Sequence, residues 1–170
     1  MTCLFLLVIP FLSILISQGK VSALGLQLGD WKFGLLSIAL ITPLFVVAIV
    51  LGSGDASYKA LYPLPGGEIQ NDTMLFARWV GWYAIFYLSF EFFYRGFLLM
   101  GIDELDWETA FLMQLFCCVL IHVGKPFTET LASVPASILF AYVTLRTRSI
   151  WYAFVIHLCV GITNDICCFD

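Results

Sequence analysis

Residues 34–51, GLLSIALITPLFVVAIVL, form a run of 18 residues without a charged side chain. A helix needs roughly 20 mainly apolar residues to cross about 30 Å of hydrocarbon, so this run predicts a membrane-spanning helix. Trp31 and Lys32 precede it, and both residue types anchor helix ends at a membrane interface. The run is continuously apolar, whereas strands of a membrane barrel alternate apolar and polar residues. The sequence therefore predicts an all-α fold.

Similar apolar runs follow one another along the whole chain, with short polar breaks between them. The 170 residues are 61% hydrophobic and 12% charged, whereas soluble proteins contain about 25% charged residues. We therefore predict one integral membrane domain over residues 1–170, built as an all-α, polytopic transmembrane helical bundle of about six spans. The six predicted spans cover residues 2–18, 34–51, 75–100, a fourth run that ends at His122, 128–145 and 150–168.

Helix breakers and polar residues set the limits of these spans. The longest polar stretch, SGDASYKALYPLPGGEIQNDT (53–73), contains two prolines and a glycine pair, which exclude a continuing helix. Asp72 or Thr73 is suited to cap the next helix, and Pro135 predicts a kink within the fifth span. Residues 2–18 are typical of a first span or of a signal peptide. We favour the span, because no positive residue precedes the run and no clear cleavage site follows it.

The charge pattern argues against several classes of partner. The net charge is −4 and no cluster of lysines or arginines occurs, so we expect no nucleic-acid partner and no polybasic lipid-binding segment. The six cysteines lack the spaced pairs of a structural zinc site. The lipid bilayer itself is the partner that the composition predicts.

Four ionisable residues lie in very apolar surroundings: Glu91, Arg95, His122 and His157. An ionisable side chain in a bilayer costs roughly 2.5–3.5 kcal/mol on insertion scales, so such residues usually face a bundle interior and have a function. Glu91 and Arg95 are four residues apart and lie on one face of a helix, where they can pair. A purely structural ion pair is the alternative interpretation.

His122 and His157 are the only histidines in the chain. Imidazole is a common metal ligand and a proton-transfer group near neutral pH. Together with Glu91, the two histidines match the ligand set of hydrolytic zinc sites, although the three residues lie on three different predicted helices. Two histidines and a carboxylate also suit general acid–base hydrolysis without a metal, so both chemistries stay open here.

Three segments carry a resemblance to a known family: FEFFYRGFLL (90–99), HVGKPFTE (122–129) and RTRSIWYAFVIH (146–157). Over about residues 75–168 the chain resembles the CPBP intramembrane metalloproteases, which include type II CAAX prenyl endopeptidases and bacteriocin-processing or self-immunity proteins. The resemblance implies a multi-pass protein of a bacterial cell membrane that cleaves a membrane-associated peptide or protein, of prenylated CAAX or leader-peptide type. It further implies zinc or another divalent metal, with the catalytic residues Glu91, Arg95, His122 and His157 and the metal ligands His122, His157 and Glu91.

The chain departs from the pattern of this family at three positions. Phe90 stands where the first glutamate of Glu-Glu-x-x-x-Arg is expected, Cys118 replaces the phenylalanine of Phe-x-x-x-His, and Gly161 replaces the asparagine of His-x-x-x-Asn. The first glutamate is the family's usual candidate for activating water. Either Glu91 takes over that role, or the chain is a noncatalytic relative that acts in binding or self-immunity.

Further polar residues near these motifs offer replacements. Asn164 lies seven residues after His157 and returns to nearly the same helix face, so it is a candidate for the missing amide, with Asp165 close by. Glu129 either folds back toward the site or caps the fifth span near water, and we favour the capping or interfacial interpretation. In the expected mechanism the two histidines position a metal or a water, Arg95 orients Glu91, and Glu91 accepts the proton. A proton relay in a transporter fragment is the remaining alternative, which the lack of inverted repeats disfavours.

Overall fold

The computed structural model describes residues 2–16, 24–102 and 106–169, and within these ranges it contains helices and no strand. The all-α prediction is therefore confirmed. In chain order the main helices are α1 (Thr2–Ile16), α2 (Trp31–Gly52), α3 (Ala56–Lys59), α4 (Thr73–Glu91), α5 (Trp107–Leu120), α6 (Phe127–Thr147) and α7 (Trp151–Ile166), with a π-helix at Phe92–Leu98 and a short 3-10 helix at Gly67–Asn71.

Each of the six predicted spans coincides with a helix or with a continuous pair of helices. Residues 17 and 18, at the end of the first predicted span, lie outside the described residues. The third predicted span, 75–100, is α4 followed directly by the π-helix. Asp72 caps α4 as predicted, because its side chain accepts hydrogen bonds from the backbone N–H groups of Met74 and Leu75.

The polar stretch 53–73 interrupts the long helices as predicted, and it has short helical turns of its own. It contains the single turn α3 and the 3-10 helix Gly67–Asn71. Asp55 caps α3 with a side-chain hydrogen bond from the backbone N–H of Ser57. Tyr58 and Tyr62 stack within the stretch with ring centroids 5.7 Å apart, so aromatic packing holds this connection in place.

Helix α7 is central to the arrangement, because it packs against α2, α4 and α6. A glycine permits the close approach of α2: an added Cβ at Gly34 would come within 2.4 Å of the Tyr152 ring. The Tyr152 hydroxyl donates a 2.7 Å hydrogen bond to the Leu28 carbonyl oxygen just before α2. Helix α5 packs on α6 and on the π-helix, which brings three motif-bearing segments together around α7.

The outer surface of the bundle is apolar. Among the described residues, α2 and α6 are long and apolar enough to cross a membrane, and Thr2–Ser13, α5 and α7 are shorter apolar helices. Soluble monomers rarely expose contiguous apolar patches larger than a few hundred Å², and a hydrocarbon environment removes the cost of such a surface. On α2 the exposed large apolar side chains are Trp31, Leu35, Leu36, Leu40, Leu44, Val47, Val50 and Leu51.

Candidate active site

The core of the site is Glu91, which lies between a cation and an imidazole. Its Oε1 is 2.6 Å from His157 Nδ1, and its Oε2 is 3.3 Å from Arg95 Nε. Glu91 is 0% exposed and Arg95 is 1% exposed, so both charges are removed from solvent. The predicted pairing of Glu91 with Arg95 is present, and Glu91 also binds the histidine of the third motif.

A change of helix type positions these residues. α4 ends at Glu91, and the next seven residues, FFYRGFL, form the π-helix that carries Arg95. π-helical turns inside longer helices are rare and often occur at functional sites. The Arg95 guanidinium lies 5.6 Å from the centre of the Phe90 ring and 5.5 Å from that of Phe140, and its Nη1 is 3.4 Å from Cys118 Sγ. Aromatic faces therefore share with Glu91 the stabilisation of this buried cation.

A cavity of about 720 Å³ adjoins this buried cluster, and both His122 and His157 line it. Glu91 and Arg95 are not among its lining residues. The His157 side chain is 15% exposed whereas that of Glu91 is 0% exposed. The imidazole of His157 is therefore the part of the Glu91–His157 pair that meets the cavity, and Glu91 can act on a water molecule there only through His157.

Hydrogen-bond partners fix the tautomers of both histidines. His122 Nδ1 is 2.6 Å from the Cys118 carbonyl oxygen, and a carbonyl oxygen can only accept, so Nδ1 carries the hydrogen. His157 Nδ1 likewise faces the Glu91 carboxylate at 2.6 Å. When neutral, each ring then has its lone pair on Nε2. Both imidazoles are therefore acceptors.

The predicted metal-ligand set of His122, His157 and Glu91 is not assembled in this geometry. Glu91 has one oxygen at His157 and the other at Arg95, and residues 2–16, 24–102 and 106–169 contain no group of three His, Cys, Asp or Glu side chains that could hold a metal. The arrangement fits a carboxylate that orients a histidine. Zinc or another divalent metal stays a prediction.

Aromatic rings enclose His157. The Tyr87 ring lies 4.3 Å from it, centre to centre, and the Phe90 and Phe140 rings lie at 5.1 and 5.4 Å. Phe90 is 3% exposed, so the position of the expected first glutamate is filled by a buried ring. Tyr87 was missed by the sequence analysis, although it precedes Glu91 by four residues and so shares its helix face.

Glu129 lies at the cavity and does not cap a helix, which corrects the capping part of the favoured interpretation. It lies in the first turn of α6, but its side chain accepts from the side chains of Tyr62 and Lys125 and lines the cavity. The Tyr62 hydroxyl lies 3.0 Å from each carboxylate oxygen, and the Lys125 ammonium is 2.7 Å from Oε1. Burial and the negative charge of Glu129 raise the pKa of Tyr62, so this phenol stays protonated and donates.

The two polar residues near the end of α7 have different surroundings. Asn164 lines the cavity, as expected of a replacement amide. Asp165 is 0% exposed and accepts hydrogen bonds from Trp79 Nε1 at 2.7 Å and from the Leu64 backbone N–H at 2.8 Å. Asp165 therefore attaches the 53–73 connection to α7, and its carboxylate is occupied by structural contacts.

Comparison with known protein families identifies a relationship for this chain. The family model of Rce1-like type II CAAX prenyl endopeptidases matches residues 72–163, more than half of the 170 residues. The matched segment runs from the cap of α4 into α7 and includes all four residues of the predicted site. No curated protein and no solved structure matches the chain.

Proposed function

The chain belongs to the family of Rce1-like type II CAAX prenyl endopeptidases, and from this membership we propose that it is an endopeptidase embedded in the membrane. The observation that carries the proposal is the buried Arg95–Glu91–His157 cluster, whose imidazole opens onto a cavity shared with His122. Buried ionisable groups in an apolar bundle are costly. An imidazole oriented by a carboxylate and facing a cavity is suited to proton transfer.

In the proposed reaction, His157 Nε2 accepts a proton from a water molecule, and the water oxygen attacks the carbonyl carbon of a peptide bond. Glu91 holds the hydrogen on His157 Nδ1 and stabilises the imidazolium that forms, as the aspartate carboxylate does in a catalytic triad. His157 then returns the proton to the nitrogen of the leaving amine as the C–N bond breaks. His122 Nε2 accepts a hydrogen bond from the second hydrogen of the water and orients the water, and Arg95 holds the Glu91 carboxylate in place through their ion pair, with Nε 3.3 Å from Oε2.

The substrate that we propose is a membrane-associated peptide, of the prenylated CAAX type or a leader peptide. The cavity combines an apolar wall with few polar groups, a typical composition for a ligand site. Its apolar wall suits a lipid chain or a hydrophobic segment. We also propose a multi-pass position in a bacterial cell membrane. The apolar and aromatic residues that line the cavity include Phe45, Phe86, Phe90, Phe140 and Val160.

A noncatalytic relative is the second candidate, and Phe90 favours it. The ring of Phe90 fills the position where the family has its first glutamate, and it packs edge-on against His157 at 5.1 Å. A site without that carboxylate retains a cavity and a polar core. Such a protein would bind a membrane peptide, in self-immunity or as a scaffold, without cleaving it.

Peptide cleavage by the purified protein in nanodiscs separates the two candidates. The assay compares wild type with His157→Gln and His122→Gln on prenylated tail peptides and on leader peptides, with thermal unfolding as the folding control. The endopeptidase proposal expects cleavage by wild type and loss of cleavage in both variants at unchanged folding. Peptide binding without cleavage by well-folded wild type would contradict the enzyme and support the noncatalytic candidate.

Metal dependence is measured on the same samples. Metal analysis of the purified protein, together with cleavage before and after chelation, tests the prediction of zinc or another divalent ion. Stoichiometric metal that is lost in His157→Gln would support the metal prediction, and it would require Glu91 to leave the contacts with His157 and Arg95 that it makes in this geometry. Full activity in metal-free protein would support the direct action of the Glu91–His157 pair.

A further inference from the structure

The proposed reaction needs a hydrogen-bond donor that neither histidine supplies. Attack of water on a peptide carbonyl places negative charge on the carbonyl oxygen, and enzymes stabilise this charge with preorganised donors. In their neutral tautomers His122 and His157 present acceptor nitrogens to the cavity, because their Nδ1 hydrogens are bound to the Cys118 carbonyl and to Glu91. A separate donor is therefore required next to His157.

Tyr87 is placed to be that donor. Its ring centre is 4.3 Å from that of His157, and it lines the same cavity. Within the described residues the Tyr87 hydroxyl has no hydrogen-bond partner. It is also not one of the fully buried side-chain atoms without a partner, so its oxygen keeps some exposed surface. The phenol O–H is therefore open to the cavity and available to a ligand.

Gly161 creates the space that this hydroxyl occupies. An added Cβ at Gly161 would lie 2.3 Å from Tyr87 Oη and within 2.6 Å of two of its ring carbons. Any side chain at position 161, one helical turn after His157, would therefore displace the phenol. The glycine at 161 and the tyrosine at 87 form a matched pair across the α4–α7 contact.

Two other donors at the cavity, Lys125 and Ser133, are engaged elsewhere. Lys125 is bound to Glu129 at 2.7 Å, so its charge is already compensated. The Ser133 hydroxyl donates to the Thr130 carbonyl oxygen at 2.7 Å. Tyr87 combines direct contact with His157 and an unengaged hydrogen.

We propose that Tyr87 is a catalytic residue that donates its phenolic hydrogen to the oxyanion formed from the scissile carbonyl. This inference rests on the proposed endopeptidase function. The bond is made as the water oxygen adds to the carbonyl carbon, and it is released when the carbonyl reforms and the amine leaves. The proton stays on Tyr87 throughout, so no redox partner or further reactant is involved.

The test compares Tyr87→Phe with wild type in the cleavage assay. Removal of one oxyanion donor typically lowers kcat by about 100- to 1,000-fold, so we expect a loss of that order with little change in KM. Tyr142→Phe is the control, because Tyr142 lies on an exposed part of α6, edge-on to Phe33. It is expected to cleave as wild type does.

A binding measurement separates catalysis from packing. A phosphinate peptide carries a tetrahedral, negatively charged centre in place of the scissile bond. Tyr87→Phe is expected to weaken its binding by about the same factor as kcat, since a transition-state analogue reports transition-state interactions. Affinity for the uncleaved peptide, measured with His157→Gln as the background, should be unchanged. Equal loss of both affinities would show a packing role and overturn the inference.

A double variant supplies the rescue. Tyr87→Ala removes the phenol and makes room at position 161, and Gly161→Asn then adds an amide donor in that space. The pair is expected to regain part of the activity that Tyr87→Ala loses, whereas Gly161→Asn alone should be inactive because of the steric overlap. Wild-type activity in Tyr87→Phe would overturn the inference about Tyr87 and leave the protease proposal intact. No cleavage by wild type would overturn both.

Discussion

Replacement of Glu91 by glutamine tests whether the buried ion pair is an essential part of the fold. The variant keeps the size of the side chain and an oxygen that accepts the hydrogen of His157 Nδ1, but it removes the negative charge. Arg95, 1% exposed, then has no anion at its Nε. The 3.3 Å separation of Nε and Oε2 corresponds to about 5 kcal/mol of attraction at an effective dielectric constant of about 20.

Breaking a buried pair by removing one partner costs about 3–5 kcal/mol, because the other charge stays buried without compensation. The rings of Phe90 and Phe140 lie within 5.6 Å of the guanidinium and offset part of this loss. We therefore expect Glu91→Gln to lower the free energy of unfolding by about 3 kcal/mol. The assay is reversible denaturation in mixed micelles, followed by tryptophan fluorescence.

The double variant Glu91→Gln with Arg95→Gln provides the matched control. It removes both charges, so its destabilisation should be smaller than the sum of the two single changes, with a coupling energy of about 2 kcal/mol or more. Strictly additive effects would refute the reasoning. So would a Glu91→Gln variant within about 0.5 kcal/mol of wild type, the range of ordinary surface substitutions.

Three further outcomes are expected. Gly161→Ala should lower the free energy of unfolding by about 1–3 kcal/mol, because the added methyl group overpacks the contact with Tyr87. In a Tyr87→Ala background the same change should cost nothing, which thermal unfolding of the variants measures. A Gly161→Ala variant as stable as wild type would contradict the close contact. Tyr62→Phe should cost about 1.5–3 kcal/mol, the range for a hydrogen bond to a charged group, and a Glu129→Gln background should reduce the loss, which a double-mutant cycle by denaturation measures. Asp165→Asn should expose the 53–73 connection to protease earlier than the rest of the chain, because an uncharged amide binds the Leu64 N–H and the indole more weakly; unchanged cleavage kinetics would argue against this attachment.

The positions of the helices were predictable because the hydrophobic runs are long and their limits are marked. The run at 34–51 became α2 with only three residues added before it and one after it. The cap of α4 was narrowed to Asp72 or Thr73, because a short polar side chain just before an apolar run can accept hydrogen bonds from the first turn of the following helix, and the structure shows that Asp72 does so. Signals of this kind depend on neighbouring residues alone, so they can be identified from the sequence without knowledge of the tertiary structure.

The π-helix at Phe92–Leu98 could not be predicted in the same way. Its seven residues have the composition of an ordinary apolar helix, and a change from i→i−4 to i→i−5 bonding depends on what packs around the segment. In this chain the segment contacts α1, α5 and α6 as well as α4. Tertiary contacts therefore decided the local geometry, and the sequence contained no separate mark of it.

The candidate site was predictable as a set of residues and not as an arrangement. Spacing alone indicated the pairing of Glu91 with Arg95, because residues four apart meet on a helix. The contact between Glu91 and His157 joins residues 66 positions apart and depends on the packing of α4 against α7. That packing also decides that His157 meets the cavity and that Glu91 lies behind it, and for this reason the proposed mechanism gives the contact with water to His157.

Phe90 bears on whether the chain is catalytically active, because it stands where the family has its first glutamate. The ring is 3% exposed and contacts both His157 and Arg95. Phe90→Glu would therefore place a second carboxylate beside Glu91, and Arg95 would be the one cation next to both carboxylates. We expect a less stable protein in which one carboxyl takes up a proton, since like charges in a low dielectric disfavour double ionisation. If Glu91 and His157 carry the chemistry, Phe90→Glu should not raise the cleavage rate of an active wild type. Cleavage that appears only in Phe90→Glu would instead mean that this chain has lost the water-activating group and that its histidines and aromatic enclosure now serve binding.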